Sequence, residues 1–194
     1  MQRLKMAISC LIVGAACLLI RQSTSAQEGS GSSRTSPQRA TRPMTPDEFY
    51  QSFWKHLTKP ESSYKKWGSL TEKKGLRASQ DPHGEFVQTF ANKIAIEGHT
   101  SLPNGAVLVA ENYDKDKKLR GISVMYRSKG ADPQHNDWYW LKYLPDGSIA
   151  RTSEKEGKKP MAGKVATSCI ECHSKAAGKD FVYSNDPQEQ ADEK

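Results

Sequence analysis

The sequence AVLVAENYDKDKKLRGISVMYR, Ala106–Arg127, decides the fold. Its two flanks, Ala106–Asn112 and Leu119–Arg127, have strand length and are rich in valine, isoleucine or aromatic residues, which are typical of β-strands. The charged segment Asp114–Lys118 between them has the composition of a turn. The stretch therefore predicts a β-hairpin.

Similar segments lie on both sides of this hairpin. Glu85–Asn92 precedes it and Trp138–Leu144 follows it, and both have strand composition. Turn sequences separate the strands: Pro103-Asn104-Gly105, Asp132-Pro133 and Pro145-Asp146-Gly147. The region 86–96 also fits a helix, because Phe86, Phe90 and Ile94 recur at helical spacing.

Helix signals lie at the start of the domain. Residues 45–48, TPDE, combine a threonine cap, a first-turn proline and a glutamate three residues on, which predicts a capping box. Phe49, Phe53 and Leu57 then form one apolar stripe. A further short helix is predicted over Tyr64–Leu70.

A short helix is also predicted near the carboxyl end. Ser168 and Glu171 have capping-box spacing, and Cys169 and Cys172 would lie on one face of the helix with His173 beside them. The fold class predicted from these elements is α+β: a mainly antiparallel sheet of hairpins with an N-terminal helix and a short C-terminal helix that carries both cysteines.

The amino terminus reads as an export signal. Arg3 and Lys5 precede the apolar run Met6–Ile20, and Thr24-Ser25-Ala26 fits a cleavage site. The run is shorter than the roughly 20 residues that cross a bilayer, so we prefer a cleaved signal to an anchor. The predicted organisation is a signal peptide over 1–26, a disordered linker over 27–43, one folded domain over 44–186 and a flexible tail over 187–194. The protein would be periplasmic or otherwise exported and would meet a membrane only during export.

Charge and cysteine content restrict the function. Cleavage after Ala26 would leave 26 of the 29 basic residues against 22 acidic ones, a modest balance that gives no reason to expect nucleic-acid binding. Cys10 and Cys17 would be removed with the signal peptide. Only Cys169 and Cys172 would remain, which excludes a disulfide-framework domain.

The sequence Cys169-Ile170-Glu171-Cys172-His173 predicts covalent haem attachment. Two thiols at this spacing reach the porphyrin vinyl groups, and the adjacent imidazole serves as the proximal iron ligand. A structural zinc site needs four ligands, and a thioredoxin-like pair needs a βαβ context; the mature chain offers neither. An incidental disulfide is the remaining alternative. We predict one haem c, bound through Cys169 and Cys172, with His173 on the iron.

The second axial position has no evident ligand after the motif, because the tail contains neither methionine nor histidine. Met125, Met161, His83, His99 and His135 are candidates by residue type. Met125 lies in an apolar strand, where a core methionine is expected, and the others lie in polar stretches, where exposure is common. We expect five-coordinate iron, open to a small ligand.

Five segments resemble the cytochrome P-460 family, which includes cytochrome c′-beta. They are PHGEFVQTFAN (82–92), PNGAVLVAENY (103–113), GISVMYRSKG (121–130), NDWYWLKYLPDG (136–147) and CIECHSKAAGKDFVY (169–183). The resemblance covers most of the chain after about Tyr64. It implies an exported mono-haem protein with a mainly antiparallel fold, often a homodimer, whose proximal histidine lies in the motif.

The resemblance also indicates where this chain departs from hydroxylamine-oxidising members. Their haem-linked lysine corresponds to Ala110, which has no amine. Alternation puts Ala110 and Leu108 on one strand face, which would offer a haem apolar contact. In place of the polar distal groups of those members stand Val87 or Gln88, and Ile122 or Ser123. The predicted pocket residues are Val87, Phe90, Leu108 and Ala110.

These departures favour a binding protein for a small neutral ligand such as nitric oxide, as the resemblance to cytochrome c′-beta implies. Phe86 or Phe90 would cap the iron. The alternatives are a hydroxylamine-oxidising or peroxide-using haem enzyme and an electron-transfer cytochrome with a redox partner protein. A four-helix-bundle cytochrome c′ is disfavoured by the Pro/Gly-punctuated region Leu102–Gly147. The aromatic strand around Trp138 fits a core or a homodimer surface, and we prefer the core.

Overall fold

A computed structural model describes residues 42–71, 74–80, 82–98, 101–176, 178 and 180–183. The compact unit begins at Pro43. The predicted signal peptide, the predicted linker up to residue 41 and the predicted tail lie outside the described residues. None of the described helices has the length and apolar character needed to cross a membrane.

Within the described ranges, five strands form one antiparallel sheet in the order in which they occur along the chain. They are β1 (Arg77–Ala78), β2 (Phe86–Ala91), β3 (Val107–Tyr113), β4 (Leu119–Arg127) and β5 (Trp138–Tyr143). The described α-helices are α1 (Pro46–Thr58), α2 (Lys93–Glu97) and α3 (Thr167–His173). The α+β prediction with a mainly antiparallel sheet is confirmed.

The central hairpin, β3 and β4, forms as the sequence predicts. Val109 pairs with Val124, and the Asp114 carboxylate closes the turn by accepting hydrogen bonds from the backbone N–H groups of Asp116 and Lys118. An aspartate side chain that bonds its own turn in this way replaces ladder hydrogen bonds that the backbone cannot make there.

The ambiguous region 86–96 contains both elements. Its first half is β2 and its second half is α2, and Asn92 separates them by accepting hydrogen bonds from the N–H groups of Ala95 and Val107. The helix prediction over Tyr64–Leu70 reduces to one 3₁₀ turn, Tyr64–Lys66.

Helix α1 begins with the predicted capping box. The N–H of Glu48 donates to the Thr45 hydroxyl, and the N–H of Thr45 donates to the Glu48 carboxylate. Leu57 is fully buried, and Phe49 and Phe53 pack beside it against the sheet, as the apolar stripe predicts.

The two faces of the sheet carry separate apolar cores. One face packs against α1 through Phe90, Val109, Val124 and Tyr143. The opposite face packs against α3 and the carboxyl-terminal segment through Met125, Trp138, Trp140 and Ile170. Trp138, Trp140 and Tyr143 are at most 3% exposed, so the aromatic strand β5 contributes to the cores.

The predicted capping box of α3 is wrong. The helix starts at Thr167, its cap position is Ala166, and no side-chain oxygen caps it. Ser168 therefore lies inside the helix, two residues past the cap position, where its hydroxyl does not cap the free N–H groups of the first turn. The packing of Ala166 and Ile170 against the sheet sets the position of this helix.

Candidate functional site

A cavity of about 330 Å³ lies on the α3 side of the sheet. Strands β2 to β5 form its floor, and α3, residues 69–71, residues 77–79 and residues 82–83 border it. Its volume lies within the range of about 300–1,000 Å³ typical of ligand and cofactor pockets.

All three motif residues border this cavity. Cys169 and Cys172 are half-buried free thiols. Burial raises the pKa of the Cys169 thiol, which keeps it protonated. The Cys172 Sγ lies 3.8 Å from the hydroxyl of Tyr183, which donates to the Cys172 carbonyl at 2.7 Å. The short helix thus presents both thiols to one space.

The ring of His173 is held in a defined orientation. Its Nδ1 lies 2.7 Å from the Phe181 carbonyl oxygen, so Nδ1–H is the donor and Nε2 carries the free lone pair. The Phe181 backbone has a φ of +63°, which is unfavourable for a bulky residue and aims this carbonyl. Burial lowers the pKa of His173 and favours the neutral imidazole that metals bind.

Three of the four predicted pocket residues point to the cavity side. Val87, Leu108 and Ala110 share the sheet face that carries Met125 and Trp140, and they line the cavity. Phe90 also borders it, but alternation puts its ring on the opposite face, where it packs edge-on against Tyr64 at 5.3 Å.

The proposed aromatic caps are therefore not where the sequence prediction put them. The ring of Phe86 lies on the same face as Phe90, with Lys117 Nζ 5.6 Å from its centre, and Phe86 is not among the described lining residues. Strand alternation explains the error. Phe86 and Phe90 each lie an odd number of positions from Val87, so their side chains point to the opposite face of the sheet.

The cavity also carries polar side chains, which the prediction of an apolar pocket missed. Arg77, His83 and Lys142 line it together with Thr89 and Ser123. Arg77 Nη1 donates to the Thr89 hydroxyl at 3.0 Å. No aspartate or glutamate occurs among the described lining residues. Arg77 lies in a two-residue strand, which is too short to give a sequence signal.

His83 enters the cavity from the loop before β2. Its Nδ1 lies 3.2 Å from Oδ1 of Asn112, and the Asn112 amide donates to Ser123 at 2.9 Å. With the Asn112 amide nitrogen directed at Ser123, its Oδ1 faces His83, and in this arrangement Oδ1 accepts from Nδ1–H. Burial lowers the pKa of His83 and favours its neutral form.

The other candidate axial residues are distributed differently. Met125 and Met161 border the cavity. His135 instead lies 2.8 Å from the Asp132 carboxylate, and it is not among the described lining residues. His99 lies outside the described residues. No group of three or more histidine, cysteine or acidic side chains able to hold a bare metal ion occurs in the described part of the chain.

The lining residues fit a haem. Two thiols and one free imidazole nitrogen border a largely apolar space, and the cations Arg77 and Lys142 that also line it suit two carboxylates. The indole N–H of Trp140 is buried without a hydrogen-bond partner among the described residues, which leaves one donor available to a bound group.

Comparison with protein families gives one match. The family model described as Cytochrome P460 matches residues 61–184, nearly two thirds of the chain. This span contains the sheet, the cavity and the Cys-x-x-Cys-His motif. The chain belongs to the cytochrome P460 family and is a haem protein of that family. A search of curated proteins finds no significant match.

Proposed function

We propose that the chain carries one covalently attached haem c, with thioether bonds to Cys169 and Cys172 and with His173 as an axial iron ligand. The observation that carries this proposal is that both thiols and the free Nε2 of His173 border one cavity from one short helix. Each thioether forms by adding S–H across a vinyl group, so the sulfur bonds one vinyl carbon and the hydrogen ends on the other. The free state of both cysteines agrees with this chemistry.

The proposed role is to bind a small neutral ligand, such as nitric oxide, at the haem. A bound haem supplies an iron that coordinates a diatomic or passes one electron. The chain contributes apolar walls from Val87, Leu108 and Ala110, which suit an uncharged guest. The lack of a carboxylate among the described lining residues disfavours oxidation of a substrate that must lose protons to a carboxylate base.

Electron transfer is the second candidate. The observation that favours it is His83, a second imidazole with a free ring nitrogen on the same cavity as His173. In either role the protein would work in the periplasm or another exported compartment, where the predicted signal directs it. A redox partner protein and a homodimer remain predictions from the sequence and the family resemblance.

The attachment is tested by producing the full chain in an export host with haem maturation. Intact mass should show one haem per mature chain, and acidified acetone should not extract it. Cys169→Ala and Cys172→Ala should each give the pyridine haemochrome spectrum of a single thioether. His56→Ala is the matched control, because His56 is exposed on α1. Colourless protein, or haem that is extracted completely, would refute the attachment.

The binding role is tested with the same holoprotein in the ferrous state. Carbon monoxide and nitric oxide should each change its absorption spectrum with a stoichiometry of one per haem. The spectrum could stay unchanged at saturating gas both in the natural chain and in a His83→Gly variant. That result would exclude ligand binding and would leave electron transfer as the proposed function.

A further inference from the structure

His83 and His173 present matching nitrogens to the same cavity. In each ring Nδ1 is occupied, by Asn112 Oδ1 at 3.2 Å and by the Phe181 carbonyl at 2.7 Å. Neither Nε2 has a hydrogen-bond partner in the part of the chain that the structure describes. A histidine whose Nδ1–H is held by an acceptor is the usual form of an imidazole that binds metal through Nε2.

The separation of the two rings fits a shared metal ion. Their centroids are 6.1 Å apart and their planes lie at 84°. Metal–imidazole bonds of about 2.0–2.1 Å place two rings on opposite sides of one ion with centroids about 6 Å apart. Edge-to-face packing without a metal spans roughly 4.5–7 Å, so the position of each ring on the sheet must distinguish the two cases.

The two rings lie over different rows of paired residues across the sheet, and each such row is called a level. His173 packs on Trp140, at 5.0 Å between ring centroids, and Trp140 pairs with Met125. His83 is bonded to Asn112, which pairs with Gly121. The Trp140–Met125 pair and the Asn112–Gly121 pair are four residues apart along β4, which corresponds to about 13 Å along a strand.

Two small side chains, Ala110 and Ser123, lie at the level between them. Ala110 pairs with Ser123, which pairs with Lys142, and all three line the cavity. Ala110 and Ser123 project little above the sheet, so space remains over them between the two rings. If the two histidines only stabilised the fold by packing on each other, no open space between their rings would be needed.

We propose that His83 is the second axial ligand of the haem iron, opposite His173. This inference rests on the proposed haem attachment and replaces the sequence-based expectation of a vacant position. A diatomic ligand must then displace His83, so the binding site is closed at rest and opens when His83 leaves. His83 lies in a loop, whose motion is less restricted than that of a strand residue.

The two methionines fit this position less well. Met125 lies at the same sheet level as Trp140, on the side from which His173 approaches, and it is buried in the apolar core. The Met161 carbonyl accepts a hydrogen bond from the Lys142 N–H at the β5 edge, which ties its backbone beside the sheet. Among the residues that the structure places, neither methionine sulfur has a hydrogen-bond partner that would orient it as Asn112 orients His83.

The test is the spin state of the ferric holoprotein, measured by absorption and electron paramagnetic resonance. The natural chain should be six-coordinate and low-spin. His83→Gly should convert it to five-coordinate or water-bound high-spin iron, and added imidazole should restore the low-spin spectrum by filling the vacated position. His56→Ala, an exposed histidine on α1, and Met161→Ala should leave the spectrum unchanged.

Ligand binding provides an independent readout. Carbon monoxide should combine with the ferrous natural chain at a rate that levels off at high gas concentration, because His83 must first dissociate. His83→Gly should show a rate that rises linearly, and its apparent affinity should be at least about tenfold higher, since only the open fraction of the natural chain can bind.

Each outcome separates this inference from the proposed function. High-spin iron in the natural holoprotein would overturn the role of His83 and leave the haem attachment intact. Low-spin iron that survives in His83→Gly, or that is lost in Met161→Ala, would also overturn it. Protein without bound haem would overturn both proposals.

Discussion

Arg127 Nη1 lies 2.7 Å from Asp180 Oδ1 and joins β4 to the segment that carries Phe181. The second Asp180 oxygen accepts from the Leu102 N–H at 2.9 Å, and the indole N–H of Trp138 donates to the Asp180 carbonyl at 2.9 Å. The ion pair is largely buried, since the two side chains are only 19% and 7% exposed. It anchors Asp180, the residue before Phe181, and the Phe181 carbonyl orients His173.

Asp180→Ala should destabilise the protein by about 3–5 kcal/mol, because it leaves the Arg127 charge buried without its partner. Urea unfolding of the holoprotein measures this loss, and the low-spin signal should broaden as Phe181 shifts. Glu154→Ala is the control, since it removes the exposed Glu154–Lys158 pair, which should contribute little. Equal effects of the two substitutions would contradict an anchoring role for Asp180.

Four buried or half-buried tyrosines predict a loss of stability at alkaline pH. Burial raises the pKa of Tyr64, Tyr113, Tyr139 and Tyr143 well above the usual value of 10.0. Glu111 adds to the shift at Tyr64 and Tyr113 by accepting their hydroxyl hydrogen bonds.

The unfolded chain releases these protons near pH 10, whereas the folded chain retains them. The stabilisation is therefore fully present below pH 10 and decreases as the pH rises above it. Urea unfolding followed by far-ultraviolet circular dichroism at pH 8 to 11.5 should show this decrease. Phenolate absorbance in the native protein that reached its full amplitude near pH 10 would contradict the shifted pKa values.

The two predicted capping boxes should differ in their contribution to stability. Thr45→Ala should cost about 1 kcal/mol, because the Thr45 hydroxyl accepts the N–H of Glu48 at the start of α1. Ser168→Ala should change the free energy of unfolding much less, since no side chain caps α3. Chemical denaturation of both variants measures the difference. A larger loss for Ser168→Ala would contradict the observed start of α3.

Gly84 should be needed to hold His83 in its position in the cavity. Its φ is +77°, and a Cβ at this position would collide with the Tyr113 carbonyl oxygen. Gly84→Ala should therefore destabilise the fold by about 1–3 kcal/mol and convert part of the iron to high spin, because the loop must move. Thermal unfolding and the ferric spectrum measure the two effects.

Gly130→Ala is the matched control for Gly84. Its φ of +83° imposes a similar backbone cost, but nothing lies within 4 Å of the added Cβ. It should lower the stability without changing the spectrum. A spectral change of the same size in both variants would show that the position of His83 does not depend on the Gly84 contact.

Local patterns predicted most of the elements. The strand prediction for Leu119–Arg127 matches β4, and the Thr45 cap and the stripe ending at Leu57 match α1. The errors have local causes as well. Ser168 and Glu171 have the spacing of a capping box, but tertiary packing starts α3 two residues too early for it. Phe90 borders the cavity, but strand alternation turns its ring into the core on the opposite face.

The sequence by itself determined the chemistry that this protein carries. Cys169, Cys172 and His173 lie within five residues of the chain, so their spacing is visible in the sequence before the fold is known. Only the tertiary structure brought His83 to within 6.1 Å of His173, 90 positions later, and added Arg77 and Lys142 to the same cavity. Strand register decides which distant side chains share a sheet face, and register depends on pairing across the whole sheet, which no local pattern specifies.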